Sequence, residues 1–300
     1  MLSTSLIEMD RPPQDITKGA LYVVGTPIGN LEDVTLRALR ILAGVDLIAA
    51  EDTRTIQKLL DAHSIRNQLI SYHEHNEEAR ADELTKQQIQ GKAIALASDA
   101  GMPTISDPGF RIVQKALSLD LPVIPIPGVS AVLTALSVSG LPTDTFTFAG
   151  FPPQKKGPRQ TRLQALSGMR GTLVLFESPH RLSRLLRELI DVMGDRPAVL
   201  AREMTKRYEE FIRGHMSEIL TTLDHRPAIK GECTLLIQGE TASKEKRIDL
   251  FKEELKAIWE VRNYGASALS KLIARKYQVP KNLVYDEILR LKHQESGRQV

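Results

Sequence analysis

The chain has 300 residues, 42% apolar and 26% charged, with a net charge of +3, which is the composition of a globular protein large enough to bury its own core. That apolar share excludes disorder throughout, and a single cysteine, Cys233, excludes a disulfide scaffold. The charge is uneven: residues 244–300 carry 13 Lys and Arg against 8 Asp and Glu, a pattern that fits either an end that meets a polyanion or a solvated helical face.

Residues 1–17 read as a loose arm around Arg11-Pro12-Pro13; with Glu8, Asp10 and Asp15 and no apolar run, they are not expected to be a signal peptide. An N-terminal α/β domain is expected over 18–141. Its strands are Leu21–Val24, Asp46–Ala50, Leu69–Tyr72, Ala93–Ala97 and Val123–Ile126. Between them lie helices marked by Leu36, Leu39 and Leu42, then Ala79–Gln90, Val113–Leu119 and Ser130–Ser139. This alternation implies a mostly parallel sheet with helices on both faces. Leu121–Thr143 carries no charge and is long enough to cross a bilayer, but Pro122, Pro125, Pro127 and Gly128 interrupt it. It reads as a strand, turn and helix in a core, so a cytoplasmic protein with no membrane contact is expected.

A second α/β domain is expected over 142–240. Strands at Phe146–Phe148, Thr172–Phe176, Ala198–Ala201, Glu209–Arg213 and Thr234–Ile237 accompany two helices, Arg181–Val192 and Met216–Leu223. That rhythm predicts a mixed sheet covered mainly on one side. Lys155–Arg162 holds four positive charges and no acid around Gly157-Pro158, and reads as a mobile loop suited to phosphates. A helical domain is expected over 245–300. Ile248, Leu255, Ile258 and Trp259 mark its first helix, and the pair Leu269–Tyr277 and Asn282–Lys292, around Gln278-Val279-Pro280, resembles a helix-turn-helix.

Ligands of an open parallel sheet sit beyond the carboxyl ends of its strands. Here those ends carry Gly25-Thr26-Pro27-Ile28-Gly29-Asn30, Glu51-Asp52-Thr53-Arg54, Ser71-Tyr72-His73, the loop from Ser98 to Gly109, and Pro127-Gly128-Val129-Ser130-Ala131. One such loop is an ordinary turn; five at one edge point to a ligand cleft. Neither G-x-G-x-x-G nor G-x-x-x-x-G-K-[ST] occurs, and His73 and His75 lack zinc-ligand company, so no metal is expected.

Together with Glu177-Ser178-Pro179-His180-Arg181 and Arg202-Glu203-Met204-Thr205-Lys206, the loops at Gly25–Asn30, Glu51–Arg54, Ser98–Gly109 and Pro127–Ala131 resemble the ribosomal RNA small subunit methyltransferase I family. That family lies within the tetrapyrrole-methylase superfamily of S-adenosylmethionine (SAM) enzymes. The resemblance runs from Lys18 onward. It implies two α/β domains enclosing a cofactor cleft, a homodimer, and methyl transfer to the ribose 2′-oxygen of a cytidine in the decoding region of small-subunit (16S) rRNA. It places SAM on Gly101, Met102, Ser106, Ser130 and Ala131, with Phe176 and Met204 from the second domain. Where tetrapyrrole members carry Gly-Asp-Pro, this chain has Gly101-Met102-Pro103, with acids at Asp99 and Asp107.

Glu177, Arg181, Glu203 and Lys206 are the catalytic candidates, with an ion-pair network as the alternative for each. Burial is expected to lower the Lys206 pKa. The RNA-binding candidates are Arg54, Lys155, Lys156, Arg159, Arg162, Lys271, Arg275 and Lys276, and the expected partner is rRNA in the assembled small subunit. Two other readings are a tetrapyrrole methyltransferase, which has no use for the basic segments, and a nucleic-acid-binding regulator, which has none for the loop cluster.

Overall fold

The computed structural model describes residues 16–240, 265–277 and 279–296, together with Lys252 and Leu255. Residues 1–15 of the arm, and Ile248, Ile258, Trp259 and Gln278 of the expected helical domain, lie outside the described residues. The chain divides into two compact units, Met1–Gly239 and Glu240–Val300.

The first sheet joins β1 (Leu21–Val24), β2 (Leu47–Ala50), β3 (Leu69–Ser71), β4 (Ile94–Ala97) and β5 (Val123–Ile126) in the order β3-β2-β4-β1-β5, all parallel. Buried on both faces, β1, β2 and β4 are continuous apolar runs. On one face α1 (Leu36–Gly44) and α2 (Thr53–Ala62) pack Ile41, Leu42, Ile56 and Leu60 against Ala95 and Ala97. On the other, α3 (Glu77–Ile89) and α4 (Phe110–Ser118) pack Leu84 and Ile112 against Ile94 and Leu96. Helix α2 adds to the elements expected from the sequence. It starts where the Asp52 carboxylate accepts the Arg54 amide hydrogen, an N-cap on a segment otherwise read as loop.

Helix α5 (Ala131–Ser137) owes its freedom from charge to the second sheet. Its Val132, Ala135 and Leu136 are buried against Val174, Val199, Ala201 and Leu236 of that sheet. The second sheet runs β6 (Phe146–Gly150), β7 (Thr172–Glu177), β10 (Cys233–Ile237), β8 (Pro197–Arg202), β9 (Glu210–His215). Only β6 and β7 are parallel, so the sheet is mixed, as expected. Its far face is covered by α6 (Lys156–Ser167), α7 (Pro179–Met193) and α8 (Met216–Asp224).

Helix α6 corrects the expected mobile loop at Lys155–Arg162. Gly157 and Pro158 fall in its first turn, where backbone N–H groups have no partner within the helix, so Pro loses nothing there. Leu163 and Leu166 then anchor it in the core.

In the C-terminal unit, α9 (Ala266–Tyr277) and α10 (Lys281–Ser296) pack Leu269, Ile273, Val284 and Ile288 around Val279 and Leu255. Among the described residues no helix is long and apolar enough to cross a membrane.

Candidate active site

A cavity of about 490 Å³ lies where the carboxyl-end loops of the first sheet face the second sheet. Two features draw those loops together. Gly25 and Gly128 pack backbone to backbone: a Cβ on Gly25 would stand 2.6 Å from the Gly128 Cα. Thr26 and Gly101 exchange backbone hydrogen bonds of 2.9 and 3.1 Å, while the Thr26 hydroxyl donates to the Ser98 carbonyl at 3.0 Å. The long loop then turns back through left-handed residues, Gly101 at φ +85°, Thr104 at +75° and Ser106 at +66°. Such conformations cost energy in non-glycine residues and persist only where the surroundings enforce them.

All seven residues expected to hold the cofactor line this cavity: Gly101, Met102, Ser106, Ser130, Ala131, Phe176 and Met204. Phe176 stands edge-on to Phe148, with ring centres 4.9 Å apart, and lies 5.5 Å from Phe151, which extends the apolar wall.

Glu232 also lines the cavity, as do three acids from the loops of the first sheet that were not among the expected site residues: Glu51, Asp99 and Asp107. Their signal in the sequence was their place at strand ends. Burial pushes the Asp107 carboxyl up to about 7, with the charge of Glu51 adding to it. Burial also raises Asp99 and Glu51. Asp99 stays tied to the loop by accepting the Asp52 amide hydrogen at 3.0 Å. Among the described residues no Lys or Arg lines the cavity.

The catalytic candidates separate. Glu177 ends β7, lines the cavity and is 4% exposed. Its Oε1 accepts from the Ser178 amide and from Arg181 Nε, each at 2.7 Å. Arg181, Glu203 and Lys206 stand outside the lining. Lys206 Nζ lies 3.0 Å from Glu203 Oε1 and 3.1 Å from Glu232 Oε2, and Glu203 Oε1 also accepts the Glu232 amide hydrogen. The expected lowering of the Lys206 pKa does not occur. Burial pulls it down, but the hydrogen bonds and charges of Glu203 and Glu232 outweigh burial and raise it. For Glu203 burial acts upward, and Lys206 prevails in lowering its pKa. The pair is thus an ammonium and a carboxylate. The Lys206 stem also packs on Gly29, where a Cβ would meet its Cγ at 2.5 Å, so this motif braces the first loop.

The basic candidates lie apart. Arg54 is exposed and bound to Asp52 at 2.6 Å, and its hydrogen bonds hold that acid at about 2. Lys155, Lys156 and Arg162 are exposed at the start of α6. Arg159 is a correction: it is 4% exposed, gripped by both oxygens of Glu188 at 2.6 and 2.8 Å, and is withdrawn from any phosphate. In the other unit, Lys271, Arg275 and Lys276 are exposed on α9, Lys276 lying 5.4 Å from the Tyr277 ring centre. Among the described residues no group of His, Cys, Asp and Glu is arranged to hold a metal.

Residues 20–220 match the family described as tetrapyrrole (corrin/porphyrin) methylases. A curated relative from Halalkalibacterium halodurans, ribosomal RNA small subunit methyltransferase I, is 44% identical over 93% of this chain and 96% of its own. The protein of the same name from Bacillus subtilis is 42% identical over 89% of this chain and 93% of its own. Among solved structures, uroporphyrin-III C-methyltransferase from Thermus thermophilus, complexed with S-adenosyl homocysteine, has a similar fold. It gives a TM-score of 0.52 at 20% identity, over 74% of this chain and 97% of that one.

Proposed function

The chain belongs to the ribosomal RNA small subunit methyltransferase I family of tetrapyrrole methylases, and from that membership we propose that it transfers the SAM methyl group to the ribose 2′-oxygen of a cytidine in the decoding region of 16S rRNA. The substrate in this reading is the assembled small subunit and the working form a homodimer. The observation that carries it is the convergence of all seven expected cofactor residues on one cavity, whose volume of about 490 Å³ suits a nucleoside-sized ligand.

The lining fits SAM chemically. Ile28, Met102, Ala131, Phe176 and Met204 offer apolar surface for adenosine. Glu51, Asp99 and Asp107 offer negative charge to the amino and sulfonium groups. When bound, SAM supplies an electrophilic methyl group. The chain's own residues exclude water, fix the loop backbone and set the counter-charge. Orientation of this kind, with reacting atoms about 3–3.5 Å apart, is a large part of what such a site contributes. The Lys206 ammonium, held by two carboxylates, is proposed as a donor toward the RNA backbone rather than as a base.

The reading is tested by labelled methyl transfer from SAM to unmethylated small subunits, to naked 16S rRNA and to a tetrapyrrole. Transfer to the subunit, mapped to a cytidine 2′-oxygen, is expected; transfer to the tetrapyrrole alone would overturn the reading.

Asp107 makes cofactor binding pH-dependent. Its folded-state pKa of about 7 lies above the ordinary value, so its contribution to stability is full below pH ~4 and is lost as pH rises through 7. Binding a net cation favours the ionised form, so SAM affinity moves the other way. It should rise between pH 6 and 8, by up to about tenfold per unit below the pKa, with proton release on binding. Calorimetry in two buffers of different ionisation enthalpy measures this. Asp107→Asn should flatten the profile; an unchanged profile in that variant would remove Asp107 from this role.

The α6 cations carry a separate expectation. Replacing Lys155, Lys156 and Arg162 together by Ala should leave SAM affinity unchanged. It should also reduce the salt slope of subunit binding by roughly one unit for each lost phosphate contact. An unaltered slope would show these side chains to be solvated only.

A further inference from the structure

Methyl transfer constrains where the acceptor can lie. A ribose 2′-oxygen must come within about 3–3.5 Å of the methyl carbon inside the cavity, while the phosphates on either side of that ribose stay in solvent. The acceptor nucleotide therefore straddles the mouth of the cavity and meets the side chains that stand there.

The mouth lies where lining residues remain exposed, and two of these are large and apolar. Ile105 and Phe151 both line the cavity, yet they are 48% and 54% exposed. Ile105 belongs to the long loop of the first sheet; Phe151 follows the last residue of β6 in the second. The two segments abut. Gly150 is held at φ +65°, and a Cβ there would stand 3.2 Å from Ser106 Oγ. Phe151 is supported from behind: its ring centre is 5.5 Å from that of Phe176, which packs edge-on to Phe148. Pro152 and Pro153 follow it and stiffen the backbone. A lone exposed apolar residue is ordinary at a protein surface. A braced aromatic ring at the mouth of a cavity, with more than half of its surface open, is a platform.

The chain just beyond supplies charge. Lys155 and Lys156 are exposed at the start of α6, four and five residues after Phe151, and so no more than about 18 Å from it along the backbone. Ring and cations together fit a single strand of RNA, whose bases offer π-faces and whose backbone is anionic. An apolar partner would match the ring alone.

We propose that the acceptor nucleotide turns out of its RNA stack and lays its base on Phe151, beside Ile105, while Lys155 and Lys156 hold the flanking phosphates. Stacking is indifferent to which base is present, so this platform positions the ribose without selecting sequence. The proposal rests on the rRNA methyltransferase reading and names the side chain that holds that substrate. Phe151 is a substrate-binding residue and moves no proton.

The test uses the full-length enzyme, SAM and small subunits reconstituted with either the normal nucleotide or an abasic ribose at the methylated position. Phe151→Ala should lower kcat/KM on the normal subunit roughly 5- to 150-fold, with SAM affinity by calorimetry close to wild type. Phe151→Trp should retain activity; Phe151→Leu, which keeps apolar bulk without a π-face, should not. On the abasic subunit wild type should fall to the level of Phe151→Ala, and the substitution should then cost nothing further. Wild-type kcat/KM in Phe151→Ala, or equal losses on normal and abasic subunits, overturns the proposal. So does a parallel loss of SAM affinity, which would make Phe151 part of the cofactor wall. A change from dimer to monomer on sedimentation also overturns it, because the ring would then be a contact between copies. Should Phe151→Ala fail to fold, Phe151→Leu and Phe151→Trp on the two subunits decide the same question. A wild type that does not methylate the normal subunit refutes the rRNA reading itself, a result distinct from failure of the platform.

Discussion

Gly25→Ala is expected to weaken SAM binding by roughly 100-fold and to abolish detectable methyl transfer. The new Cβ would lie 2.6 Å from the Gly128 Cα and 2.8 Å from its nitrogen, separations that real Cβ atoms do not reach. Both obstacles are backbone, so no side-chain rotation relieves the clash and the two loops must separate. Overpacking of this kind costs about 1–3 kcal/mol, and a site formed by the contact of two loops absorbs the cost as lost affinity. Gly128→Ala should do the same, since its Cβ would stand 2.6 Å from the Gly25 Cα. Gly157→Ala is the control: a Cβ there meets nothing within 4 Å. Calorimetry with SAM and a melting curve on each protein separate a displaced loop from an unfolded chain. Wild-type affinity in Gly25→Ala would show that the loop contact does not shape the cofactor site.

Arg159→Ala should cost about 3 kcal/mol of stability and leave the salt dependence of RNA binding unchanged. Its guanidinium donates to both Glu188 oxygens, at 2.6 and 2.8 Å, and to the Gln154 carbonyl at 2.6 Å, tying α6 to α7. Removing one partner of a buried pair leaves the other uncompensated, at roughly 3–5 kcal/mol. The lower end applies because the Glu188 side chain is 27% exposed and keeps Arg184 at 3.1 Å. At about 2–4 °C per kcal/mol the melting temperature should fall by roughly 6–12 °C. Arg159→Lys should recover only part of this, because one ammonium cannot replace the planar fork on two oxygens. A stable Arg159→Ala protein with a flattened salt slope would return Arg159 to the phosphate-binding set.

Much of the architecture was legible in the sequence because its signals are local. A strand buried on both faces must be apolar throughout, so Leu21–Val24 and Ile94–Ala97 stand out between turn residues. The loops from Gly25, Ser98 and Pro127 were legible for a related reason: backbone that turns sharply beside a ligand draws on Gly, Pro and Ser wherever it occurs. Their convergence follows from parallel topology, and all seven expected cofactor residues indeed share one cavity. Helix α6 departs from the expected mobile loop because Gly157-Pro158, which suggests a loop, falls in its first turn, while the two leucines that bury it lie at its far end. Helix α2 carries a local signal too, Ile56, Leu59 and Leu60 at helical spacing directly behind the Glu51–Arg54 loop.

Charge is where composition and spacing stop being informative. Arg159 looks like its neighbours Lys155 and Arg162 in the sequence, and only α7 supplies the Glu188 that removes it from the surface. Lys206 was expected to lose proton affinity on burial; Glu203, three residues before it, and Glu232, brought beside it by the antiparallel pairing of β8 and β10, together reverse the sign. Asp107 was one acid among several until folding buried it near Glu51 and moved its pKa to about 7. Strand and loop identity depends on each residue and its near neighbours along the chain, which the sequence states. Desolvation and Coulomb energy depend on distance through space, and that distance exists only once the two sheets have closed on each other.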